Sequence, residues 1–128
     1  MIPQTQSRVG KHGRCMEAAI ASILEIDESA VPDFGGDSEY LLNIAKFLNA
    51  FDLYYVRVTP TDPIIKTMFK IGTVYHMIEG KSPRGGLHAV VGRNGKIVHD
   101  PHPQDGTGRG LVRIDNFGLI CARMNGGA

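Results

Sequence analysis

The chain has 128 residues, 42% of them hydrophobic, and a formal charge of +1. That length and apolar content suit one domain with one core, and so small a charge leaves no electrostatic case for a nucleic-acid or anionic-membrane partner. No apolar run is long enough to span a bilayer.

In chain order, residues 1–13 carry Pro3, Gly10 and Gly13 and read as extended chain or loop. The stretch "RCMEAAIASILEI" is rich in Ala, Leu, Met and Glu and predicts a helix over 15–26, buried on most sides and opening with Cys15. "DESAVPDFGGD" is a connection broken by Pro32 and Gly35-Gly36. Asp37 or Ser38 is placed to cap a second helix, "SEYLLNIAKFLNAF", whose apolar stripe is Leu41, Ile44, Ala45, Leu48 and Phe51. "LYYVRV", residues 53–58, predicts a strand. Asp62 and Pro63 mark the cap and first position of a short helix. "GTVYHMIEG" predicts a strand, "KSPRGG" a loop, and "HAVVGRNGKIVHDPHP" a hairpin. After these come a glycine-rich loop "QDGTGRG", a last strand "LVRIDNF" and a frayed tail "RMNGGA". Helices followed by antiparallel strands make an α+β fold, with the buried N-terminal helix bearing Cys15 packed on an antiparallel β-sheet.

The start "MIPQTQSRVGKHGR" is polar and lacks the apolar segment of a signal peptide. Cys15 and Cys121 form no CxxC pair. Reduced thiols and a cytoplasmic location, or the host cytoplasm for a phage-encoded chain, are therefore expected.

A cysteine at a helix start and a histidine on a strand are the parts that thiol catalysis needs. The helix N-terminus favours a thiolate. An imidazole moves the proton, and a carboxylate holds the imidazole in the right tautomer. Cys15, His88 and Asp100 fill these roles. The Cys15 backbone N–H supplies one oxyanion donor, and Gln4 or Gln6 can bring a second.

The hairpin register decides whether His88 meets Asp100. A two-residue loop at Asn94-Gly95 pairs Arg93 with Lys96 and sets His88 opposite Pro101, with Asp100 on the other face. A three-residue loop, Arg93-Asn94-Gly95, pairs Gly92 with Lys96 and His88 with Asp100. The three-residue register is expected, with Gly95 at positive φ. Val90 and Val98 then share the His88 face, while Ala89, Val91, Ile97 and His99 point away.

With "PQTQ", "GRCMEAAIASILEI", "HAVV" and "HDPHP" in this order, the chain resembles the papain-like cysteine hydrolases. It is most similar in pattern to the peptidase domains that process double-glycine leaders, and to small uncharacterised phage and bacterial proteins with "VPDF" after the first helix and "SPRG" before "HAVV". The resemblance spans most of residues 3–103. It implies a papain-like fold and a cysteine peptidase or amidase acting on a peptide or protein substrate. It also implies Cys15 as nucleophile, His88 as base, Asp100 as orienting group and an upstream glutamine, Gln4 or else Gln6, at the oxyanion hole. The chain departs from the pattern in Met16-Glu17 after the cysteine and in the long "SRVGKHG" between glutamine and cysteine.

Other residues have plainer readings. His99 and Asp100 are neighbours on a strand and point oppositely, so with His102 they make a poor ligand set, and no metal is expected. "GTGRG" lacks the Lys-Ser/Thr of a phosphate loop, and no cofactor is expected. Cys121 reads as core, Arg84 as a solvated loop residue, and His12 and His76 carry no chemistry. A rival of another class is a non-catalytic binding module on the same fold, such as a phage inhibitor of a host protein.

Overall fold

The structure, a computed structural model, describes residues 1–9, 13–36, 38–103 and 108–122. Among these lie three α-helices and one five-stranded sheet. Helix α1 spans Cys15–Leu24, and Met16 to Ser22 are buried. It ends two residues before the expected boundary because Glu25 adopts the left-handed conformation, φ 60°, and donates its backbone N–H to Ala21 O. A single 3₁₀ turn follows at Glu28–Ala30, capped by Asp27.

Helix α2 spans Tyr40–Asn49 with Glu39, not Ser38, at its N-cap, and Glu39 makes no side-chain cap bond. Asp37, the other expected cap, lies outside the described residues. The apolar stripe is also rotated from the expected one. Ile44 and Leu48 are buried, but Leu41 and Phe51 are exposed. Tyr40 and Phe47 take their places in the core, completing an i, i+4, i+7, i+8 face. Helix α3, Pro63–Ile71, begins as expected, with Asp62 Oδ1 accepting from Ile64 N at 2.8 Å.

The strands are β1 (Leu53–Val58), β2 (Tyr75–Lys81), β3 (Leu87–Arg93), β4 (Lys96–His99) and β5 (Arg113–Ala122), in the order β1-β5-β2-β3-β4. Every pairing is antiparallel. Strand β5 runs on through "GLICA", past its expected end, because β1 pairs with it as far as Ala122, while β2 pairs with its first half, up to Gly118. The expected frayed tail, 123–128, lies outside the described residues, as do His12 and the centre of the glycine-rich loop.

Alternate residues of the strands feed two apolar clusters. On one face Met77, Ala89 and Val91 pack under Met16, Ile20, Ile44 and Leu48 of α1 and α2. On the other, Ile78, Val90, Phe117 and Leu119 pack under Ile65 of α3. Cys15 packs on the first cluster and Cys121 on the second, and both thiols are free. His76 is fully buried beside Phe69 and Phe117, with ring centroids 5.2 and 4.7 Å away. Its Nε2 accepts from Gly95 N at 3.0 Å, so Nδ1 carries the proton and donates to Met77 O at 3.0 Å. No helix among the described residues is long and apolar enough to cross a membrane.

Candidate active site

Cys15 is the first residue of α1, and its helix is fixed at that end by Arg14. The buried Arg14 guanidinium donates to the carboxylates of Glu28 and Asp33, and to Glu28 O at 2.9 Å and Val31 O at 2.6 Å. Glu17 completes the brace, with Oε2 accepting from Phe34 N at 3.0 Å. "VPDF" is thus the strut that seats the start of α1, and the unusual Glu17 is its fastening. Burial is the largest influence on the Glu17 carboxyl and pushes its pKa up. With Arg14 so engaged, it gives the helix no side-chain cap, so the start of α1 is held by this brace rather than by a capping side chain.

His88, near the start of β3, is 3% exposed. Its Nε2 donates to Asp100 Oδ1 at 2.7 Å, which leaves Nδ1 for the thiol. Burial lowers the imidazole pKa, but the hydrogen bonds and charges of Asp100 and Cys15 outweigh it and raise the value to about 9. Burial likewise raises Asp100, and is outweighed by His88 and by the N–H groups of Gly110 and His102, which bring it down to about 2. Imidazolium and carboxylate therefore coexist at neutral pH.

The contact forms, but by a different register from the expected one. Arg93 pairs with Lys96, so the loop is the two-residue Asn94-Gly95, with φ of 49° and 85°. These are the positive values of a type I′ turn. Continued evenly, this register would turn Asp100 away from His88. A β-bulge intervenes: Ile97 pairs with Gly92 and His99 with Val91, leaving Val98 as the extra residue. One extra residue restores the parity and returns Asp100 to the face of His88 and Val90. The expected placement of Ile97 on the face away from His88 is corrected, since it pairs with Gly92, and Val98 leaves the ladder instead of pairing with Val90. Gly95 does hold positive φ, and His99 does share the face of Val91, though as its direct partner rather than that of Ala89.

Gln4 is also corrected. Its Oε1 accepts from Glu28 N at 3.1 Å and its backbone N donates to Ser22 Oγ at 2.8 Å, so the residue belongs to the α1 brace. Gln6 faces the cleft instead. Its backbone N donates to Pro101 O at 2.9 Å, which ties it beside Asp100. Its Nε2 donates to Arg8 O at 2.5 Å, while its buried Oε1 has no partner. The long stretch before the cysteine is accommodated because Arg14 N donates to Arg8 O at 3.0 Å and draws its ends together.

Cys15, His88 and Gln6 line one cleft of about 920 Å³. The cleft has further walls that pattern reading missed: Tyr40, Arg57, Glu79 and Asn116. The available signal was a charged residue interrupting each of the apolar strands "LYYVRV" and "YHMIEG". Arg84, expected to be solvated, donates to Gly108 O and is exposed at the rim. His99 Nε2 donates to Gln4 O at 2.6 Å, and the His102 backbone N donates to Asp100 Oδ1 at 2.9 Å. Among the described residues no three His, Cys, Asp or Glu side chains are grouped to hold a metal ion. Comparisons of the chain with protein-family models, curated proteins and solved structures return no match.

Proposed function

We propose that this protein is a papain-like cysteine hydrolase that cleaves an amide or related acyl bond in a peptide or protein. The observation that supports this most is the buried His88–Asp100 pair, at 2.7 Å, opening into the same cleft as Cys15 on the first turn of a buried helix. A buried histidine held protonated beside a thiol and oriented by a carboxylate is the arrangement that thiol nucleophiles require.

In this mechanism the Cys15 thiolate attacks the carbonyl carbon. The C–S bond forms and the carbonyl π pair moves to oxygen. The oxyanion is met by the Cys15 N–H and by Gln6, whose Nε2 has a second hydrogen beyond the one given to Arg8 O. Collapse breaks the bond to the leaving group, which takes the proton from His88 Nδ1. A thioester remains. His88, now neutral, accepts a proton from water as the water attacks, and the thiolate departs. Asp100 stays ionised throughout and keeps the Nε2–H tautomer.

The test is turnover of peptide, isopeptide and thioester substrates by the wild type, with Cys15→Ala and His88→Ala as controls. The wild type is expected to turn over at least one class through a mass-detectable acyl-enzyme on Cys15. Cys15→Ala should abolish turnover and His88→Ala should lower it about 10²–10⁴-fold. A wild type inert on all three, with Cys15 alkylated by iodoacetamide no faster than Cys121, would sink the proposal in favour of a binding module.

A further inference from the structure

The cleft contains a second charged centre that the steps above do not use. The Glu79 side chain on β2 is 12% exposed, and side chains from two other strands converge on it. Tyr55 Oη donates to Glu79 Oε2 at 2.5 Å and Asn116 Nδ2 to the same oxygen at 2.6 Å. Arg57 spans both oxygens, Nε to Oε2 at 3.0 Å and Nη2 to Oε1 at 2.7 Å. The register explains the convergence. Tyr55 lies opposite Ile120, Arg57 opposite Gly118, and Glu79 opposite Asn116, all on the face covered by α1 and α2. A Cβ on Gly118 would lie 2.0 Å from Tyr55 Oη. Only glycine there lets side chains of β1 reach across β5 to β2. Glycine inside a strand weakens it, and an ion pair whose arginine is partly in solvent adds little stability. Cohesion of the sheet is therefore a poor reason for this device.

Two features point to a ligand. Arg57 gives its Nε and Nη2 to Glu79, whereas Nη1 has no partner among the described residues; its side chain is 39% exposed and lines the cleft. Glu79 Oε1 accepts from Arg57 alone. The pair thus presents an open donor and an open acceptor to the cleft with no net charge. Tyr40 connects it to the nucleophile: it lines the same cleft, and its hydroxyl is kept un-ionised by burial first, then by the charges of Cys15 and Glu79.

We propose that Arg57 and Glu79 form a substrate subsite for a carboxamide, the side chain of Asn or Gln in a peptide whose scissile bond lies at Cys15. The inference rests on the thiol-hydrolase reading. A carboxamide brings an acceptor oxygen and donor N–H groups together. A carboxylate would satisfy Arg57 but face the Glu79 charge, and an ammonium would satisfy Glu79 but face Arg57, so each is rejected.

The experiment is digestion of a proteome-derived peptide library by the full chain, with products identified by mass spectrometry. Wild type, Cys15→Ala, Arg57→Ala and Arg57→Gln are compared. Cys15-dependent cuts are expected to show Asn or Gln enriched at one fixed distance from the cut. Replacing that residue by Ala in a synthetic peptide should lower wild-type kcat/KM about 10- to 100-fold, and Arg57→Ala should bring the ratio between the two peptides close to one. Arg57→Gln, which keeps a bond to Glu79, reads the same ratio should the alanine variant fold poorly. Cutting without carboxamide preference, or a preference that both Arg57 variants retain, overturns the subsite and leaves the Cys15 chemistry standing. Absence of any Cys15-dependent cut overturns the subsite, and it overturns the thiol-hydrolase reading as well when isopeptide and thioester substrates are also left intact.

Discussion

Each oxygen of the Asp100 carboxylate has its own work. Oδ1 accepts from His88 Nε2 and from His102 N, and Oδ2 accepts from Gly110 N at 2.5 Å. Asp100→Asn would keep the Oδ1 bonds but turn an N–H toward the Gly110 N–H, leaving a donor unpaired at a cost of about 1–3 kcal/mol. Asp100→Ala removes every one of these bonds. Loss of the anion also acts on His88, whose pKa of about 9 depends on it. In the wild type kcat/KM is expected to fall as pH rises through about 9, where His88 can no longer protonate the leaving group. In Asp100→Ala that alkaline limb should move down toward the ordinary histidine range, with a loss of about 100-fold at the optimum; Asp100→Asn should lose less. A pH–rate profile checks this. An alkaline limb that stays put in the alanine variant would separate Asp100 from His88.

At the scale of elements, the hairpin turn also fastens α3 to the sheet. Asn94 Oδ1 accepts from Val74 N at 2.8 Å, and Nδ2 donates to Phe69 O at 3.2 Å and Gly72 O at 3.1 Å. The same residue holds φ at 49°, a region that costs most L-residues about 1–2 kcal/mol. Asn94→Ala is expected to destabilise the fold by about 2–4 kcal/mol, combining strain with lost bonds. Asn94→Gly, which relieves the strain, should cost less. Urea denaturation of both variants measures the difference, and equal costs would remove strain from the account. The turn is set by local chemistry, whereas the Val98 bulge sets the parity that brings Asp100 round.

For the whole molecule, Asp100, His88 and His76 are three of the buried groups that make stability depend on pH, with different signs. Asp100, lowered to about 2, stabilises fully above its ordinary 3.8 and loses this as pH falls through about 2. His88, raised to about 9, stabilises fully below its ordinary 6.5 and loses this as pH rises through about 9. His76 acts oppositely. Burial, the larger influence, lowers its pKa against its bond to Met77 O. The unfolded chain therefore takes up a proton near 6.5 that the folded chain resists. Between pH 7 and 5 the only one of the three to erode stability is His76, so lowering the pH across about that interval is expected to change Tm less favourably in the wild type than in His76→Gln. Calorimetry over this range decides it; an unchanged slope in the variant would place the acid sensitivity elsewhere.

Local signals in the sequence were enough for the α+β class, for Cys15 at the head of a buried helix, for the Asp62-Pro63 start of α3 and for β1. Each depends on side-chain periodicity or on the chemistry of a cap, which a few neighbouring residues decide among themselves. The roles of Gln4 and Gln6 were not legible, because two glutamines one residue apart differ only in what the distant backbone of Glu28 and Pro101 offers them. The bulge at Val98 was equally hidden: Asn94-Gly95 signals its turn, but nothing in "KIVHD" marks which residue leaves the ladder. Arg57, Glu79, Tyr55 and Asn116 lie far apart along the chain and meet only because β5 inserts between β1 and β2, with Gly118 clearing the way. Strand order comes from the packing of whole faces, a long-range property, and so the second centre of the cleft belongs to the tertiary structure alone.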